Sequence, residues 1–340
     1  MNKKFVKELA DLPGTSGDEY RVKNYLKQNL KGVDSFIEDG LGGIVGVLDS
    51  GKKGKNILVL AHMDEVGFMV KSINDRGLVT LTNIGGFVPA VLTSQRVILH
   101  SDKKDYEGVI LGLPPHGNKD KNKEFTVEEL HVDFGFVSNK DAEKKGVMIG
   151  DFVTFKNDYQ ELENNRVVSK AFDNRLGCAA LLELFKTYKT KLKKGKIYLG
   201  ASVQEEAGLR GAGPIVNAIN DKIDYALIID VSPVTDFDKV TNGSLGEGTL
   251  IRVKDPRCIL DPKEVRELRK LAKASKIKYQ EFFSAGGTDA AQVQITNDGY
   301  TTCALCVPGR SIHTNNTIID FKDYEATLKL ATKYIDSKIK

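Results

Sequence analysis

The feature that most constrains this chain is a short apolar run, Ile57-Leu-Val-Leu-Ala61, that stops abruptly at His62 and Asp64. Four to eight apolar residues bounded by polar groups indicate a buried strand rather than a helix. Such strands are typical of parallel sheets, where ligands bind at the carboxyl ends of the strands. His62 and Asp64 are two residues apart, so their side chains point to the same side of an extended chain. For this segment alone, a hydrogen-bonded structural histidine is an equally good interpretation.

The same pattern recurs in the second half of the chain. Apolar runs at 196–204 and 225–229 stop at acidic residues, and a run at 302–307, the last buried strand expected, is followed by a loop with His313. Amphipathic helices are predicted between and after these runs. We therefore expect an α/β fold with a mixed, mainly parallel central sheet flanked by helices.

The texture changes between residues 70 and 164. Short strand-like runs are separated by turn residues there, with one short helix expected near 141–145. Several short strands at this spacing indicate a small all-β module, either a barrel or a sandwich. We expect an inserted β domain at 70–164 and an α/β domain made of residues 1–69 and 165–340.

Composition excludes several classes of protein. Among 340 residues the net charge is +4, and the basic residues form no aromatic-interleaved patch of the kind that binds nucleic acid. The chain has no apolar stretch long enough for a signal peptide or a membrane span, so we expect a cytoplasmic protein without a membrane partner. Four cysteines do not suggest a disulfide framework. Cys303 and Cys306 are expected to be core thiols on opposite faces of a strand.

Acidic residues and histidines at strand ends and at a helix start are expected to converge on one edge of the sheet. They are His62, Asp64, Asp173, Glu205, Glu206, Asp230 and His313. So many carboxylates cannot all be ionised in a partly buried cleft unless cations compensate them. Histidine and carboxylate ligands without cysteine suit zinc, cobalt or manganese. Five ligands, one of them a bridging carboxylate, would hold two ions in the arrangement that activates water for hydrolysis.

The adjacent acids Glu205 and Glu206 suggest a division of labour. One carboxylate can bind a metal while its neighbour stays free as a general base. Taken singly, each acid has a simpler interpretation: Asp173 as a helix cap and the others as surface charges. Their joint placement is not well explained in that way.

Five sequence blocks and an N-terminal motif resemble the signatures of the dinuclear glutamyl/leucyl aminopeptidases, a family that includes the tetrahedral aminopeptidases. They are Ala61-His-Met-Asp-Glu-Val-Gly-Phe-Met-Val70, Ser169-Lys-Ala-Phe-Asp-Asn-Arg-Leu-Gly177, Val203-Gln-Glu-Glu-Ala-Gly-Leu-Arg-Gly-Ala212, Ile228-Ile-Asp230, Gly286-Gly-Thr-Asp-Ala290 and Leu12-Pro-Gly-Thr-Ser-Gly17. The blocks follow the family's order and span nearly the whole chain. The resemblance implies a zinc-peptidase type of fold and a metal-dependent aminopeptidase that acts on peptides.

The resemblance also implies a role for each candidate residue. The first metal would be held by His62 and Asp230, and the second by Glu206 and His313. The remaining roles are Asp173 as the bridging ligand, Glu205 as the general base and Asp64 as the residue that orients His62.

The same resemblance implies how the subunits assemble, but not which substrate the pocket accepts. The inserted β domain would be a dimerisation domain, and dimers would assemble into a hollow dodecamer. The segment Arg310-Ser-Ile-His-Thr314 differs from the Arg-Tyr-Ile-His-Ser that is usual in the family. The resemblance therefore does not define the substrate pocket around His313.

Other functions and other roles are weighed against this interpretation. A related dinuclear deacylase or carboxypeptidase is the nearest enzyme alternative; a glycoside hydrolase and a non-catalytic assembly protein are more distant ones.

His100 and His131 are expected to pack or to face solvent, and His116 either does the same or reaches a neighbouring subunit's site. The segment Gly286-Gly-Thr-Asp289 is either a turn with a helix cap or a wall of the active site.

Overall fold

The computed structural model describes residues 3–112, 126–238 and 242–339. Its strands are β1 (Ser35–Glu38), β2 (Ile44–Asp49), β3 (Asn56–His62), β4 (Gly67–Ile73), β5 (Val79–Ile84), β6 (Arg96–His100), β7 (Asp105–Ile110), β8 (His131–Asp133), β9 (Phe152–Phe155), β10 (Gln160–Glu161), β11 (Arg166–Ser169), β12 (Lys196–Ser202), β13 (Tyr225–Pro233), β14 (Thr249–Lys254), β15 (Tyr279–Phe283), β16 (Thr302–Arg310) and β17 (Thr317–Asp320). Its α-helices are α1 (Lys3–Asp11), α2 (Tyr20–Asn29), α3 (Asn139–Lys144), α4 (Phe172–Lys191), α5 (Ala212–Asn217), α6 (Pro262–Ala274), α7 (Ala290–Ile295) and α8 (Phe321–Lys338).

A mixed sheet of eleven strands forms the centre of the α/β domain, in the order β1-β2-β12-β3-β13-β16-β17-β11-β10, with β14 and β15 attached beside β16. The four central strands β12, β3, β13 and β16 are mutually parallel. Antiparallel strands flank them at both sides. The mixed α/β sheet predicted from the sequence is confirmed, and parallel pairing is concentrated at its centre.

Strand β3 is a buried central strand whose carboxyl end lies level with that of β12. Every residue from Ile57 to His62 is buried, as is typical of a central strand in a parallel sheet. The register pairs His62 with Ser202 at the ends of β3 and β12. The residues that follow these two strands therefore emerge at the same edge of the sheet.

Helix α4 is largely buried and packs on β3 and β13. Its side chain Arg175 is fully buried and donates to the main-chain carbonyls of Met63, Leu9 and Leu12 at 2.7–2.8 Å. A buried guanidinium requires such acceptors because it cannot lose its charge. These bonds hold α1 and the end of β3 against the start of α4.

Strands β4 to β9 close into a separate small barrel in the order β4-β5-β8-β7-β6-β9. Phe68 and Phe155 pack inside it, together with Phe87, at ring-centroid distances of 4.7–5.6 Å. The barrel strands run from residue 67 to residue 155, and β10 already belongs to the central sheet. The inserted all-β module expected from the sequence is thus confirmed as a barrel.

Some predicted elements differ in extent. The run at 302–307 continues to Arg310 as β16, and β17 follows it, so it is not the last strand. The run at 225–229 continues past Asp230 to Pro233. Pairing of β13 with β16 through Pro233 and Gly309 provides the hydrogen bonds that extend both strands beyond the apolar core. Within the described ranges, every helix is too short or too polar to cross a lipid bilayer.

Candidate metal centre

Six of the residues selected from the sequence meet at the carboxyl edge of the central sheet. They are His62 at the end of β3, Asp173 in the first turn of α4, Glu205 and Glu206 after β12, Asp230 in β13, and His313 between β16 and β17. All six line one cavity of about 820 Å³. Parallel neighbours deliver their carboxyl ends to one place, and this is why residues so distant in sequence converge here.

Asp173 lies between the two histidines. Its Oδ1 is 3.2 Å from Nε2 of His62, and its Oδ2 is 3.6 Å from Nε2 of His313. On the first side, Oδ1 of Asp230 is 3.5 Å from His62 Nε2. On the second side, Oε2 of Glu206 is 3.3 Å from His313 Nε2. Asp173 therefore directs one oxygen towards each of two histidine–carboxylate pairs.

The electrostatics of the cluster indicate uncompensated negative charge. Burial raises the pKa of Glu205 well above its usual range, and it also raises the pKa of Glu206 and Asp230. Burial opposes the protonated form of His313, but Asp173 and Glu206 outweigh it and raise the pKa of the ring to about 11. Without cations, these groups must therefore hold protons to coexist.

The donor set fits divalent cations. Two groups of residues each bring three donor atoms to within 4.8 Å of one another. One group is His62, Glu205 and Asp230, and the other is His62, Asp173 and Glu206. Imidazole nitrogens and carboxylate oxygens are the ligands that zinc, cobalt and manganese accept. These groups share His62, whereas the family resemblance has Asp173 as the shared ligand; His313 lies next to the second group. The residues present can hold metal at this edge.

Asp64 lies beneath the cluster and is fully buried. Nδ1 of His62, the ring nitrogen that faces away from the cavity, is 3.1 Å from the main-chain carbonyl oxygen of Asp64 and 3.3 Å from its Oδ1. The two carboxylate oxygens of Asp64 also accept the main-chain N–H groups of Glu205 and Glu206, each at 3.0 Å, and the hydroxyl of Ser16 at 2.6 Å. Asp64 thus contacts the histidine and the loop that carries both glutamates. Burial opposes its charge, but His62 outweighs burial and lowers the pKa of Asp64.

Two residues of the N-terminal loop approach the centre without having been assigned a role from the sequence. Ser16 donates to Asp64, and the buried carboxylate of Glu19 accepts the N–H of Gln204 at 3.0 Å. The motif Leu12–Gly17 marked this loop as part of the family pattern, but nothing in the local sequence indicates which distant loop it contacts.

Two arginines of the cavity wall were also missed. Arg252 is buried in β14 and donates to the hydroxyl of Ser232 at 3.1 Å and to the carbonyl oxygen of Gly286. Arg257 is exposed and also lines the cavity. Among the described lining residues, these two are the charged side chains outside the acidic cluster and its histidines. No periodicity or motif singles them out in the sequence.

Of the other histidines that the structure describes, one packs in the barrel and one faces solvent, as expected. His100 is buried in the barrel, with ring nitrogens 3.0 Å from Asp105 Oδ1 and Thr154 Oγ1. His131 is exposed on β8, and His116 lies outside the described residues.

Of the two roles predicted for the segment 286–289, the cavity wall is observed, because Gly286 and Gly287 line the cavity. Asp289 occupies the N-cap position of α7, but its buried side chain makes no capping hydrogen bond and accepts from Ser202 instead.

Residues 42–330 match the sequence model of the M42 glutamyl aminopeptidases. The chain belongs to this family. A glutamyl aminopeptidase of Lactococcus lactis is 36% identical over 94% of this chain and 91% of its own length. A lysyl aminopeptidase of Pyrococcus furiosus is 29% identical over 97% of this chain and 96% of its own length. Membership of the M42 family makes the protein an aminopeptidase and confirms the resemblance drawn from the sequence blocks.

The fold agrees with a solved structure of the same kind. The TET1 peptidase of Pyrococcus horikoshii superimposes with a TM-score of 0.87 at 29% identity, over 97% of this chain and 98% of that one. That peptidase assembles into a tetrahedron or a large octahedral shell. The M42 assignment therefore rests on sequence and on fold.

Proposed function

We propose that this M42 aminopeptidase binds two divalent metal ions at the carboxyl edge of its sheet and uses them to hydrolyse the first peptide bond of its substrates. The observation that carries the proposal is the position of Asp173, whose two oxygens face His62 at 3.2 Å and His313 at 3.6 Å. A carboxylate so placed is suited to bridge two cations. With Asp230 on one side and Glu206 on the other, each cation would have one histidine, one terminal carboxylate and the shared aspartate.

The bound ions would polarise the scissile carbonyl and lower the pKa of the attacking water. Glu205 lies beside this centre, with Oε2 4.0 Å from His62 Nε2, and is left over from the five-ligand set. We assign it the role of general base, which takes the proton of the attacking water and then gives it to the leaving amine. Asp64 holds the ring of His62 and the main chain of residues 205 and 206, so it fixes both ligand and base.

The first experiment is a metal-restoration assay on aminoacyl-p-nitroanilides with Leu, Glu, Asp, Lys and Ala at the N-terminus. Protein freed of metal with a chelator should be inactive and should recover with zinc or cobalt, or with manganese, at two ions per subunit. Recovery at one ion per subunit would overturn the dinuclear assignment. Activity on N-acylated peptides or on β-glucans, without activity on free-amine substrates, would move the site to a deacylase or a glycoside hydrolase.

We further propose that the cavity prefers acidic N-terminal residues. Arg257 is an exposed cationic side chain of its described wall, and a carboxylate is its natural partner; the buried Arg252 is already paired with Asp255 at 3.2 Å. Relatives with opposite preferences, glutamyl and lysyl, exist at similar identity, so the choice must be tested. Arg257→Ala should lower kcat/KM for the Glu substrate by about 10- to 100-fold, as expected for one charge-assisted hydrogen bond, and leave the Ala substrate unchanged. An equal loss on both substrates would contradict the preference.

We propose that the protein forms homo-oligomers through the barrel, as dimers that build a dodecamer. The support is the shell-forming assembly of the P. horikoshii peptidase, together with the large apolar side chains that the barrel region exposes, such as Val137 at 79% and Ile149 at 72%. Light scattering should give twelve subunits for the protein and a smaller assembly for Ile149→Asp. A monomeric wild-type protein would overturn the proposal.

A further inference from the structure

Three successive main-chain N–H groups in the loop after β12 donate to two buried carboxylates. The N–H of Gln204 donates to Oε1 of Glu19, and the N–H groups of Glu205 and Glu206 donate to Asp64, each at 3.0 Å. Glu19 and Asp64 are 5% and 0% exposed. The loop that carries the proposed base is therefore held at three consecutive peptide units.

The conformation of this loop needs such support. Gln204 has φ of +55°, in the left-handed region that a residue with a side chain adopts only at a cost. Glu19 accepts the N–H of the peptide unit that precedes the Cα of Gln204. This bond therefore fixes the turn that orients the side chain of Glu205. Asp64 binds the next two N–H groups, so the three donors are divided between two carboxylates.

Glu19 is itself fixed by its own loop. The oxygen that accepts from Gln204 also accepts the N–H of Gly17 at 2.9 Å, and Ser16 of the same loop donates to Asp64 at 2.6 Å. Glu19 is not among the described residues that line the cavity. Glu19 therefore acts on turnover indirectly, through the loop that it holds or through its charge near Asp64.

We propose that Glu19 is a positioning residue for Glu205: its carboxylate holds the Gln204 peptide unit and thereby aims the base into the cavity. This inference rests on the role of Glu205 given under the proposed function. It also assigns a purpose to the N-terminal loop, in which Ser16 belongs to the motif and Glu19 follows the motif by two residues.

The test compares Glu19→Ala with Glu19→Gln in the metal-loaded protein. Removing the acceptor should lower kcat by about 10- to 100-fold, the loss typical of a catalytic group misplaced by about 1 Å, with KM and metal content unchanged. Glu19→Gln keeps an oxygen at the same reach and should restore most of kcat. Unchanged kcat in Glu19→Ala, or a loss that only tracks lost metal, would overturn the inference.

A double variant separates positioning from general structural damage. If Glu19 acts through Glu205, adding Glu19→Ala to Glu205→Gln should not lower the residual rate further, because the base is already absent. A further drop of the same size as in the single variant would contradict the proposal. Full activity of Glu205→Gln alone would instead overturn the assignment of the base, so the two failures are distinguishable.

A matched control and a fallback complete the design. Glu264 is also buried and accepts from Tyr334 at 2.8 Å, but it joins α6 to α8 outside the described cavity wall; Glu264→Ala should leave kcat per folded molecule unchanged. Should Glu19→Ala fail to fold, Glu19→Asp, whose carboxylate is one methylene too short, should lower kcat about tenfold relative to Glu19→Gln. Equal kcat in these two variants would overturn the proposal.

Discussion

Two regions of this protein place a buried histidine at the end of an apolar strand, and they differ in the charge around the ring. At the edge of the central sheet, four carboxylates lie within 4.0 Å of the ring nitrogens of His62. In the barrel, one carboxylate among the described residues lies within 4.0 Å of His100, the half-exposed Asp105, and the hydroxyl of Thr154 is the other partner, each at 3.0 Å. The second ring is satisfied by its neighbours, whereas the first faces more negative charge than the protein compensates.

The local sequences of the two regions are alike. Both have an apolar run, then histidine, then one residue, then aspartate: His62-Met-Asp64 and His100-Ser-Asp102. The difference arises from strand direction. A parallel sheet collects several carboxyl ends at one edge, whereas in the antiparallel barrel the neighbouring strands run the opposite way. In this protein, the histidine whose neighbouring strands run the same way is the one that meets the acidic ends of other strands.

The largest expected effect comes from a comparison of two single variants, in which either His62 or His100 is replaced by alanine. His62→Ala should lose at least one metal ion per subunit and more than about 10³-fold in kcat/KM, because metal assistance supplies several kcal/mol of transition-state stabilisation. His100→Ala should keep its full metal content. Elemental analysis and the p-nitroanilide assay on both variants check this contrast, and full metal in His62→Ala would remove that residue from the ligand set.

Asp64 and Asp102, each two residues after its histidine, form a matched pair, and their replacement should have a smaller effect. Asp64→Asn should weaken metal affinity by about 10- to 100-fold, the usual loss when the partner of a metal-binding histidine is removed. Asp102→Asn, at the exposed equivalent in the barrel, should leave metal affinity unchanged. Competition with a chromogenic chelator measures both. Equal affinities would show that Asp64 does not support His62.

Metal removal should make stability depend on pH. The pKa values of Glu205, Glu206 and Asp230 are raised in the fold, so their contribution is present below an unfolded pKa near 4 and is lost as pH rises. The pKa of His313 is raised to about 11, so its contribution is likewise lost as pH rises from about 6.5 towards that value. Chelator-treated protein should therefore lose unfolding free energy between about pH 5 and 9, at about 1.4 kcal/mol for each tenfold difference in proton affinity between the folded and unfolded states. Denaturant unfolding measures this loss; a flat profile would contradict the charge excess.

The smallest effect is expected in the barrel. His100→Ala leaves the hydroxyl of the buried Thr154 without its partner and should cost about 1–3 kcal/mol of stability. Its kcat per folded molecule should equal that of the wild type. Denaturant titration with a parallel activity assay tests this, and a lost kcat would show that the barrel histidine has a functional role after all.

The sequence predicted the sheet, the barrel and the residues at strand ends because each depends on local burial. Ile57–Ala61 had to be a buried strand, and its neighbours with the same pattern had to join it. The position of Glu19 beneath Gln204 and that of Arg257 on the cavity wall depend on which loops meet after folding. The contact of His313 Nδ1 with the carbonyl of Gly86, 227 residues away, is another such case. Periodicity and spacing carry no information about such meetings.

The central place of β3 in the sheet has a consequence for protein synthesis. Both neighbours of β3, namely β12 and β13, lie more than about 130 residues downstream, beyond the whole barrel. At about 5–20 residues per second, a ribosome needs roughly 7 to 26 seconds to deliver the first of them. The barrel pairs its own strands within that interval. During it, β3, with its apolar run Ile57–Ala61, stays without its two neighbours, and it is the segment for which we expect chaperone binding.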